Sequence, residues 1–520
     1  MSFPWLTVIG IIPLVGAGVV AALPATNVAL LKKVALGVSL VTLAMTIAMA
    51  TQFAPHGDRF QFNQSTSWIP AFGIHYAVGI DGIALVLILM TTVLWPVVIL
   101  ASWHECESTK RSVKTYLGLL VSMETLLIGV FAATDVFLFY VFFEAMLIPM
   151  YFIIGAAGTP RSSYAALKFL LYSLFGGLMM LAAVIGLYVL GGHTFLYSSL
   201  QHMHLGVNDE RWLFLGFFVA FAVKAPLWPF HTWLPDAAAE SPVGGTVLLV
   251  GVLDKVGTFG FLRYCLDLFP NASHWFTPTV LTLAVIGVLY GALQAIGQKD
   301  ILRLMAYVSV SHFGLITLGI FAFTSEGQTG ATLYMVNHGF STGALLLVVG
   351  FMISRRKSRG INDFGGMQKV TPILAGTFLV ACLSGLALPG LSTFVSEFLV
   401  LIGTFTRYKV AATFGTVGIV LAALYMLILY QRTMTGPVSP DVEGSHDLSL
   451  REKWVIAPVV AVIVVLGFYP RPILDVINPA VSATLHQTGN TDPVPVVPVA
   501  GVPVAAGAAT PTASTSGGSG

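Results

Sequence analysis

The sequence predicts an all-α polytopic membrane protein with about fourteen transmembrane helices. Only 9% of its 520 residues are charged, whereas 56% are hydrophobic. A soluble protein carries roughly 25% charged residues, so a water-exposed globular fold is excluded. The hydrophobic residues also occur in runs of about 20, which is the length of helix that crosses a ~30 Å hydrocarbon core.

Charged residues or proline- and glycine-rich breaks separate the apolar segments, and each segment is predicted to span the membrane. The fourteen segments lie near 4–24, 30–53, 78–102, 114–132, 135–157, 164–190, 211–228, 243–268, 276–297, 302–323, 328–353, 371–404, 410–433 and 453–471. The first is predicted to be a retained helix and not a signal peptide, because no basic residue precedes it.

The charge and cysteine content exclude several classes of function. A formal net charge of +2 leaves no basic surplus for binding a nucleic acid. The three cysteines (Cys106, Cys265 and Cys382) lie far apart and lack metal-ligand spacing. Disulfides, zinc sites and iron–sulfur clusters are therefore not expected in this chain.

Lysine and arginine are distributed unequally between alternate loops. Seventeen lie on one side and six on the other, and the remaining two, Lys224 and Lys255, fall within predicted spans. Basic residues near helix ends resist translocation. The side with seventeen is therefore predicted to face the cytoplasm and both termini to face outward.

Two predicted spans contain helix breakers. The seventh has Pro226 and Pro229, and the twelfth has Pro389 and Gly390. The breaks are 163 residues apart, close to the interval between the starts of the fourth and ninth spans. This spacing favours two five-helix units of opposite topology. Coincidence is the alternative, because membrane helices tolerate proline.

The predicted organisation follows from these units. It comprises helices 1–3 in 1–112, a first repeat in 113–270, an inverted second repeat in 271–435, helix 14 in 436–480 and a disordered tail in 481–520. The tail is predicted to be disordered because its Pro, Gly, Ala, Thr and Ser residues bury too little apolar surface to offset their ordering entropy.

Four ionisable side chains occupy the middle of predicted spans, where a charge costs roughly 2.5–3.5 kcal/mol. They are Glu144, Lys224, Lys255 and Glu397. Desolvation favours the neutral forms of a buried amine and carboxyl, whereas their mutual attraction favours the charged forms. A small change in separation would then move a proton, so a proton route is the favoured interpretation. A static ion pair that fixes helix packing is the alternative.

Histidines in or near apolar spans extend this pattern. His231, His312 and His338 are suited either to relaying protons or to satisfying a local hydrogen bond, and their occurrence together with the buried charges favours the relay. A solvated or capping role is expected for three acidic residues nearer to span ends: Asp81, Glu124 and Asp135.

Several segments resemble the antiporter-like proton-pumping subunits of respiratory complex I (NADH:quinone oxidoreductase). The resemblance covers most of residues 77–435 and rests on FLFYVFFEAMLIPMYFIIG, KAPLWPFHTWLPDA, QKDILRLMAYVSVSHFG, YMVNHGFSTGALLLVVG and LPGLSTFVSEFLVLIG. Related subunits usually have lysine at position 397. The glutamate found here is the residue that makes this chain resemble the M-type members.

The resemblance implies two inverted five-helix repeats, broken seventh and twelfth helices, and a hydrated polar axis. It implies that Glu144 and Lys224 form the interacting pair of the inward half-channel. Lys255 would be the central relay, and Glu397 the terminal proton donor or acceptor of the outward half. The possible relay positions on the connecting axis are those of two histidines, His312 and His338.

The resemblance also implies the cofactors and partners. No cofactor is expected in this chain, and NADH, FMN, iron–sulfur clusters and quinone are expected in partner subunits. The expected partners are L-like and N-like antiporter subunits, small membrane subunits and the lipid bilayer, in a bacterial-type inner membrane. A subunit of a multisubunit sodium/proton antiporter or of a membrane-bound hydrogenase complex is the alternative.

Two positions depart from the family pattern. Ala238 stands where the PDAH motif of the family has histidine, and Asp254 stands where an apolar residue is expected.

Overall fold

The computed structural model describes residues 3–109 and 111–493. Within this part of the chain, eleven helices are long and apolar enough to cross a membrane, or twelve if one bent pair counts as a single span. The helices of the first half are α1 (Trp5–Ala22), α2 (Val28–Ala50), α3 (Gly82–Ala101), α4 (Val113–Ala132), α5 (Val136–Ala145), α6 (Leu147–Ile154), α7 (Ser162–Leu190), α8 (Tyr197–Leu200), α9 (Val207–Lys224), α10 (Leu234–Glu240), α11 (Val243–Leu248) and α12 (Lys255–Gly260). Those of the second half are α13 (Pro270–Gly297), α14 (Ile301–Ile320), α15 (Ser325–Arg356), α16 (Met367–Val370), α17 (Pro372–Gly385), α18 (Ser392–Arg407), α19 (Lys409–Met434), α20 (Leu450–Phe468) and α21 (Arg471–Gln487).

Each of the fourteen predicted segments contains helix, but three of them are broken or bent. The seventh segment falls on α9, which ends at Lys224. The twelfth is divided between α17 and α18, and a 70° bend separates α20, in the fourteenth, from α21. The helical membrane fold is confirmed, whereas the count of fourteen spans and their arrangement as inverted repeats stay predictions.

The chain leaves helical structure at both positions where the sequence carries breakers. After α9 ends at Lys224, helix resumes only at Leu234, and the prolines between them lack the N–H that would continue the ladder. Between α17 and α18, Gly390 has φ +92°, which L side chains rarely adopt. The first gap directly follows Lys224, and the second lies shortly before Glu397 and is exposed at Leu388 and Pro389.

A two-stranded antiparallel sheet, which was not predicted from the sequence, precedes α3 in this mainly helical fold. Strands β1 (Gln61–Ile69) and β2 (Ile74–Ile80) pair with Thr66 opposite Tyr76. The apolar residues of β2 alternate with a period of two, which is typical of a strand. The start of the third predicted span, near residue 78, included the end of this strand. Helix α3 begins only after Asp81, whose carboxylate accepts from the Ala84 N–H at 2.9 Å.

Two turns of π-helix, Leu249–Leu253 and Phe261–Leu266, flank α12. Their wider turns are visible where the Asp254 N–H donates to the Leu249 carbonyl, five residues earlier, at 3.1 Å. π-turns are rare, cannot be read from apolar periodicity and often occur at functional sites. Every residue from Gly244 to Leu266, the stretch that contains them, is buried.

Helix α15 lies at the centre of the fold. It packs against α3, α11, α14, α17, α18, α20 and α21. Almost all of its residues between Gly327 and Met352 are buried. Ionisable side chains in this buried part of α15, and on the buried segment beside it, therefore face protein and not lipid.

An ion-pair network centred on Asp236, which lies outside the membrane-spanning helices, joins the two halves of the chain. Asp236 on α10 accepts from Lys168 Nζ at 2.7 Å and from Arg303 Nη1 at 2.7 Å. Burial opposes ionisation of this carboxyl, but the two hydrogen bonds outweigh it and lower the pKa of Asp236 below its usual value. The network therefore favours the ionised carboxylate.

The ordered part of the chain extends beyond the predicted limit. Residues 481–487 were predicted to belong to a disordered tail, but they continue α21 to Gln487. Val481 and Leu485 are buried there, and α21 packs against α3 and α15. This contact supplies the apolar burial that the composition of the following residues does not suggest. Residues 494–520 of the predicted tail lie outside the described residues.

Candidate functional site

Six side chains predicted to carry the chemistry lie on six different helices. The list is Glu144 on α5, Lys224 on α9, Lys255 on α12, His312 on α14, His338 on α15 and Glu397 on α18. Five of them are at most 4% exposed, and only Glu144 is half-buried. The fold thus brings residues that are up to 253 positions apart in the chain into its interior.

Lys255 and His338 form the centre of the site. Lys255 Nζ lies 2.7 Å from His338 Nδ1 and donates to the Val250 carbonyl at 2.5 Å. That carbonyl lies within the π-turn before α12, where the regular helical pairing is interrupted. The ammonium also lies 5.2 Å from the centre of the Phe313 ring, within cation–π range. A protonated Lys255 is therefore stabilised by a carbonyl oxygen, an imidazole nitrogen and an aromatic ring.

The two histidine rings are neighbours, with centroids 5.3 Å apart and planes at 85°. His338 Nε2 and His312 Nδ1 are buried and have no hydrogen-bond partner among the described residues. When the Lys255 ammonium donates to His338 Nδ1, the neutral ring carries its own proton on Nε2. The ring nitrogens are therefore available on the side away from Lys255.

Two buried tyrosines, which the sequence interpretation missed, lie between the histidines and Glu397. The hydroxyl of Tyr334 donates to Glu397 Oε1, and the hydroxyl of Tyr425 lies 3.4 Å from His312 Nε2. The Tyr334 ring is centred 5.7 Å from His312. A sequence signal existed for Tyr334, because it precedes His338 by four residues and shares its helix face.

The start of α18, which carries Glu397, is fixed from α15. Asn337 Nδ2 donates to the Ser392 carbonyl at 2.6 Å and to Ser396 Oγ at 3.2 Å. These bonds hold the first turn after the helix break. Asn337 was not singled out from sequence, because an isolated amide gives no pattern.

The other end of the site contains Glu144 and Lys224. Lys224 Nζ has no hydrogen-bond partner among the described residues and lies 5.0 Å and 5.6 Å from the ring centres of Phe143 and Phe169. The Glu144 carboxyl packs against Gly177 of α7, where no Cβ stands in its way. The two charges interact electrostatically, although no direct ion pair within 4.0 Å joins them in the described chain.

Asp254 adds an acidic group at the centre. It is completely buried, and neither carboxylate oxygen has a hydrogen-bond partner among residues 3–109 and 111–493. The charges of both Lys224 and Lys255 act on it. The sequence singled out Asp254 as unusual and as a neighbour of Lys255, but it did not indicate that the charge of Lys224 acts on it too.

The remaining ionisable residues occupy other environments. Asp135 caps α5 by accepting from the N–H groups of Phe137 and Leu138, as expected. Glu124 is neither solvated nor capping, which corrects the expectation for it. Its side chain is fully buried on α4, and both oxygens lack a partner in the described chain. The ring of His231 lies against Tyr290, with centroids 5.1 Å apart.

A cavity of about 1060 Å³ lies away from these residues, where α11 and α20 begin and α15 ends. Lys357, Arg359 and Arg451 line it, so it opens on the face predicted to be cytoplasmic. Glu105 also lines it and caps α11 by accepting from the Val243 N–H at 2.6 Å. No group of three or more His, Cys, Asp and Glu side chains in the described chain could hold a metal ion.

Two family models match the chain. The model described as NADH:quinone oxidoreductase/Mrp antiporter matches residues 133–422, and that described as the amino terminus of NADH-ubiquinone oxidoreductase chain 4 matches residues 23–130. Together they cover almost all of the second to twelfth predicted spans, the last two residues of the first and about half of the thirteenth.

Curated relatives match over almost their full length. NADH-quinone oxidoreductase subunit M of Mycobacterium tuberculosis is 51% identical over 95% of this chain and 96% of the relative. Subunit M of Rhodobacter capsulatus is 39% identical over 94% of this chain and 97% of that protein. Chain 4 of the NADH-ubiquinone oxidoreductase of Marchantia polymorpha is 37% identical over 93% and 97%.

Solved structures share the fold. A chain of respiratory complex I from Thermus thermophilus with bound NADH superposes with TM-score 0.85 at 30% identity, covering 93% of this chain and all of that chain. A chain of the Mrp complex from Dietzia sp. DQ12-45-1b superposes with TM-score 0.83 at 20% identity, covering 94% of this chain and all of that one. At that identity the second likeness indicates the fold alone.

Proposed function

This chain belongs to the NADH-quinone oxidoreductase subunit M family, and from that premise we propose that it is the proton-translocating membrane-arm subunit of a respiratory complex I. It would couple quinone reduction in partner subunits to proton transfer across the membrane. The observation that carries the proposal is the buried row of proton-exchanging side chains, from Lys255 through two histidines and two tyrosines to Glu397.

We propose that Glu144 and Lys224 receive protons from the cytoplasmic side. The helix break after Lys224 supports this role, because carbonyls freed at a break in a membrane helix can admit water and solvate an ammonium. Loss of the Glu144 charge would leave the Lys224 ammonium with one fewer counter-charge and favour release of its proton. The pair would thus act as the switch of the inward half.

Lys255 is proposed as the central relay and Glu397 as the terminal group. A neutral Lys255 amine accepts a proton from the inward half, and its ammonium then delivers one to His338 Nδ1, which lies 2.7 Å away. His338 Nε2 passes a proton towards His312, whose ring centre is 5.3 Å away. Separations of this size need a water molecule or a small ring rotation for each transfer. Glu397 then releases the proton outward beside the second helix break.

The proposed setting is the inner membrane of a bacterium, with both termini outside. The seventeen basic residues of one set of loops against six of the other support this orientation. The proposed functional halves are residues 113–270 and 271–435, each of which contains one helix break beside an ionisable group. The M-type relatives support L-like and N-like antiporter subunits and small membrane subunits as partners. Those partners would contribute NADH, FMN, iron–sulfur and quinone chemistry, and this chain would hold no cofactor.

The assembled complex in proteoliposomes tests the function. Glu144→Gln keeps the shape of the side chain but removes the titratable group, so assembly and NADH oxidation by a soluble acceptor should persist while coupled proton transport collapses. Glu144→Asp should be milder. Glu124→Gln is the matched control, because it removes another buried carboxyl that no lysine approaches.

The same preparation separates the alternatives. Unchanged proton transport in Glu144→Gln would remove this residue from the mechanism. If transport also survived neutralisation of Lys224, Lys255 and Glu397, the buried charges would only pack helices. Exchange of sodium for protons by the purified protein without an electron donor would instead identify a cation/proton antiporter subunit.

A further inference from the structure

Asp254 is a buried carboxyl group that the four-residue proton path does not use. It is fully buried and has no hydrogen-bond partner for either oxygen within the described chain. A buried carboxyl left without partners costs several kcal/mol unless it is protonated or faces opposite charges. Its position immediately before Lys255, at the end of a π-turn, gives it a defined direction.

Close backbone packing sets that direction. Gly260 lies against the ring of Phe221, and Gly257 lies against the backbone of Phe221 and Ala225, where a Cβ would come within 2.5 Å of the Ala225 nitrogen. Going back along α12 from Gly260 to Gly257, the contacts with α9 therefore shift towards the C-terminal end of α9. Asp254 lies one turn before Gly257 on the same side, so it faces the chain around Lys224.

Lys255 points elsewhere. Successive helical residues differ by about 100° in direction, and Lys255 reaches across to His338 on α15. Asp254 thus lies on the side of the chain that packs against the end of α9, whereas the Lys255 side chain is directed towards α15. The charges of both lysines act on its carboxyl group, whereas Glu124 on the neighbouring α4 faces no charged group that acts on it. The other titratable side chains near the centre include His312 on α14, His338 and Tyr334 on α15, and Tyr425 on α19.

We propose that Asp254 carries protons between Lys224 and Lys255. The inference rests on the proposed function and adds one residue to it. In the first step the Lys224 ammonium gives a proton to the Asp254 carboxylate, leaving a neutral amine and a carboxylic acid. In the second, the acid gives its proton to the neutral Lys255 amine and becomes a carboxylate again. No other reactant is needed.

The order of charges along the axis supports this role. With Asp254 included, carboxyl and amine groups alternate from Glu144 through Lys224, Asp254 and Lys255 to Glu397. Fully ionised, these three carboxyls and two amines would hold one net negative charge in the apolar interior. An uncompensated charge is costly there, so the resting row should contain one protonated carboxyl. Without Asp254 the row would be neutral with all groups ionised.

The test uses the whole complex in proteoliposomes and compares Asp254→Asn, Asp254→Leu and Asp254→Glu. The leucine restores the apolar residue expected of the family and provides a folded variant if asparagine disturbs assembly. We expect Asn and Leu to slow coupled proton transport about tenfold or more and to change its pH profile. Glutamate should restore most of the rate, because it keeps a carboxyl group at this place.

Infrared difference spectra recorded on reduction of the complex provide a readout that packing alone would not change. A deuterium-sensitive carboxylic acid C=O band should disappear in Asp254→Asn and persist in the matched control Glu124→Gln. Wild-type transport and pH profile in the Asn and Leu variants would overturn the proposal. A slower proton-transport rate in Asp254→Asn that Asp254→Glu does not restore, together with an unchanged carboxylic acid band, would also overturn it. Glu144→Gln, measured in parallel, distinguishes failure of this proposal from failure of the proposed function. Unimpaired proton transport in Glu144→Gln would refute the proposed function itself.

Discussion

A single methyl group added at Gly177 should disable the inward half of the site without removing any titratable group. Gly177 lies on α7, and a Cβ there would overlap Glu144 Oε1 and lie 2.5 Å from the carboxyl carbon. Carbon atoms pack at about 3.5–4.0 Å, so the carboxyl group must move by roughly 1 Å or more. The end of a flexible side chain can make this move, so the helices need not shift.

The magnitude follows from the sensitivity of proton transfer to position. A misplacement of about 1 Å can cost roughly a hundredfold in rate, so Gly177→Ala should reduce coupled proton transport tenfold to a hundredfold, or about 1.4–2.8 kcal/mol in activation free energy. Stability should not fall, because alanine is favoured over glycine in a helix interior by about 1 kcal/mol. The assay is NADH-driven proton uptake by proteoliposomes, normalised to NADH oxidation with a soluble acceptor.

A control and a rescue make the result specific. Gly186→Ala adds the same methyl group to the same helix, but it meets only the Leu213 side-chain tip at 2.8 Å, so transport should stay near wild type. Combining Gly177→Ala with Glu144→Asp shortens the displaced side chain by one methylene and should recover part of the lost rate. Wild-type transport in Gly177→Ala, or no recovery in the double variant, would refute the placement of the Glu144 carboxyl.

Three further predictions concern other parts of the chain. Tyr334→Phe removes the hydrogen bond to Glu397 and should slow transport several-fold with a changed pH profile, whereas an unaltered profile would show that this hydroxyl does not act on the carboxyl. Asp236→Asn should destabilise the solubilised complex by about 1–3 kcal/mol after allowance for partial exposure, as measured by thermal denaturation. Because the pKa of Asp236 is lowered, its contribution is present above the usual carboxyl pKa near 4 and is lost as the pH falls through the folded value. The stability gap should therefore persist down to about pH 4 and then close, and a gap that closes at neutral pH would contradict the ion-pair account. Cysteine in place of the exposed Lys357 should react with an impermeant reagent only from the cytoplasmic side, and labelling only from outside would reverse the topology.

Features controlled by local chemistry were predictable from the sequence. Apolar runs located the helices, and prolines at 226, 229 and 389 indicated where α9 and the α17–α18 pair are interrupted. Buried charges within those runs selected Glu144, Lys224, Lys255 and Glu397. Each inference used only the local cost of placing a charge or a proline in a membrane helix.

Features created by tertiary packing were not predictable. The β1–β2 hairpin alternates apolar residues over only one of its strands, and the continuous apolar run that follows concealed it. The π-turns before and after α12 have no sequence pattern, yet one of them brings Val250 to the Lys255 ammonium. The Tyr425 contact with His312 joins residues 113 positions apart.

The burial of isolated carboxyl groups was also not predictable from the sequence. Glu124 was expected to be solvated or to cap a helix, but it lies in the middle of α4 and neighbouring helices cover it completely. Asp254 was recognisable as an unusual residue, whereas its position between two lysines depends on the glycines that bring α12 against α9.

The central claim is that protons cross this chain along a row of titratable groups that ends at Glu397. The most direct measurement compares the protons translocated per NADH oxidised by the reconstituted complex carrying Glu397→Gln or Glu397→Lys with the wild type. We expect glutamine to abolish most coupled transport, because it cannot exchange a proton. Lysine should be better tolerated, because it keeps a titratable group at the position where related subunits have lysine. If the glutamine variant translocates as many protons per NADH as the wild type, Glu397 is not on the path and the account is contradicted.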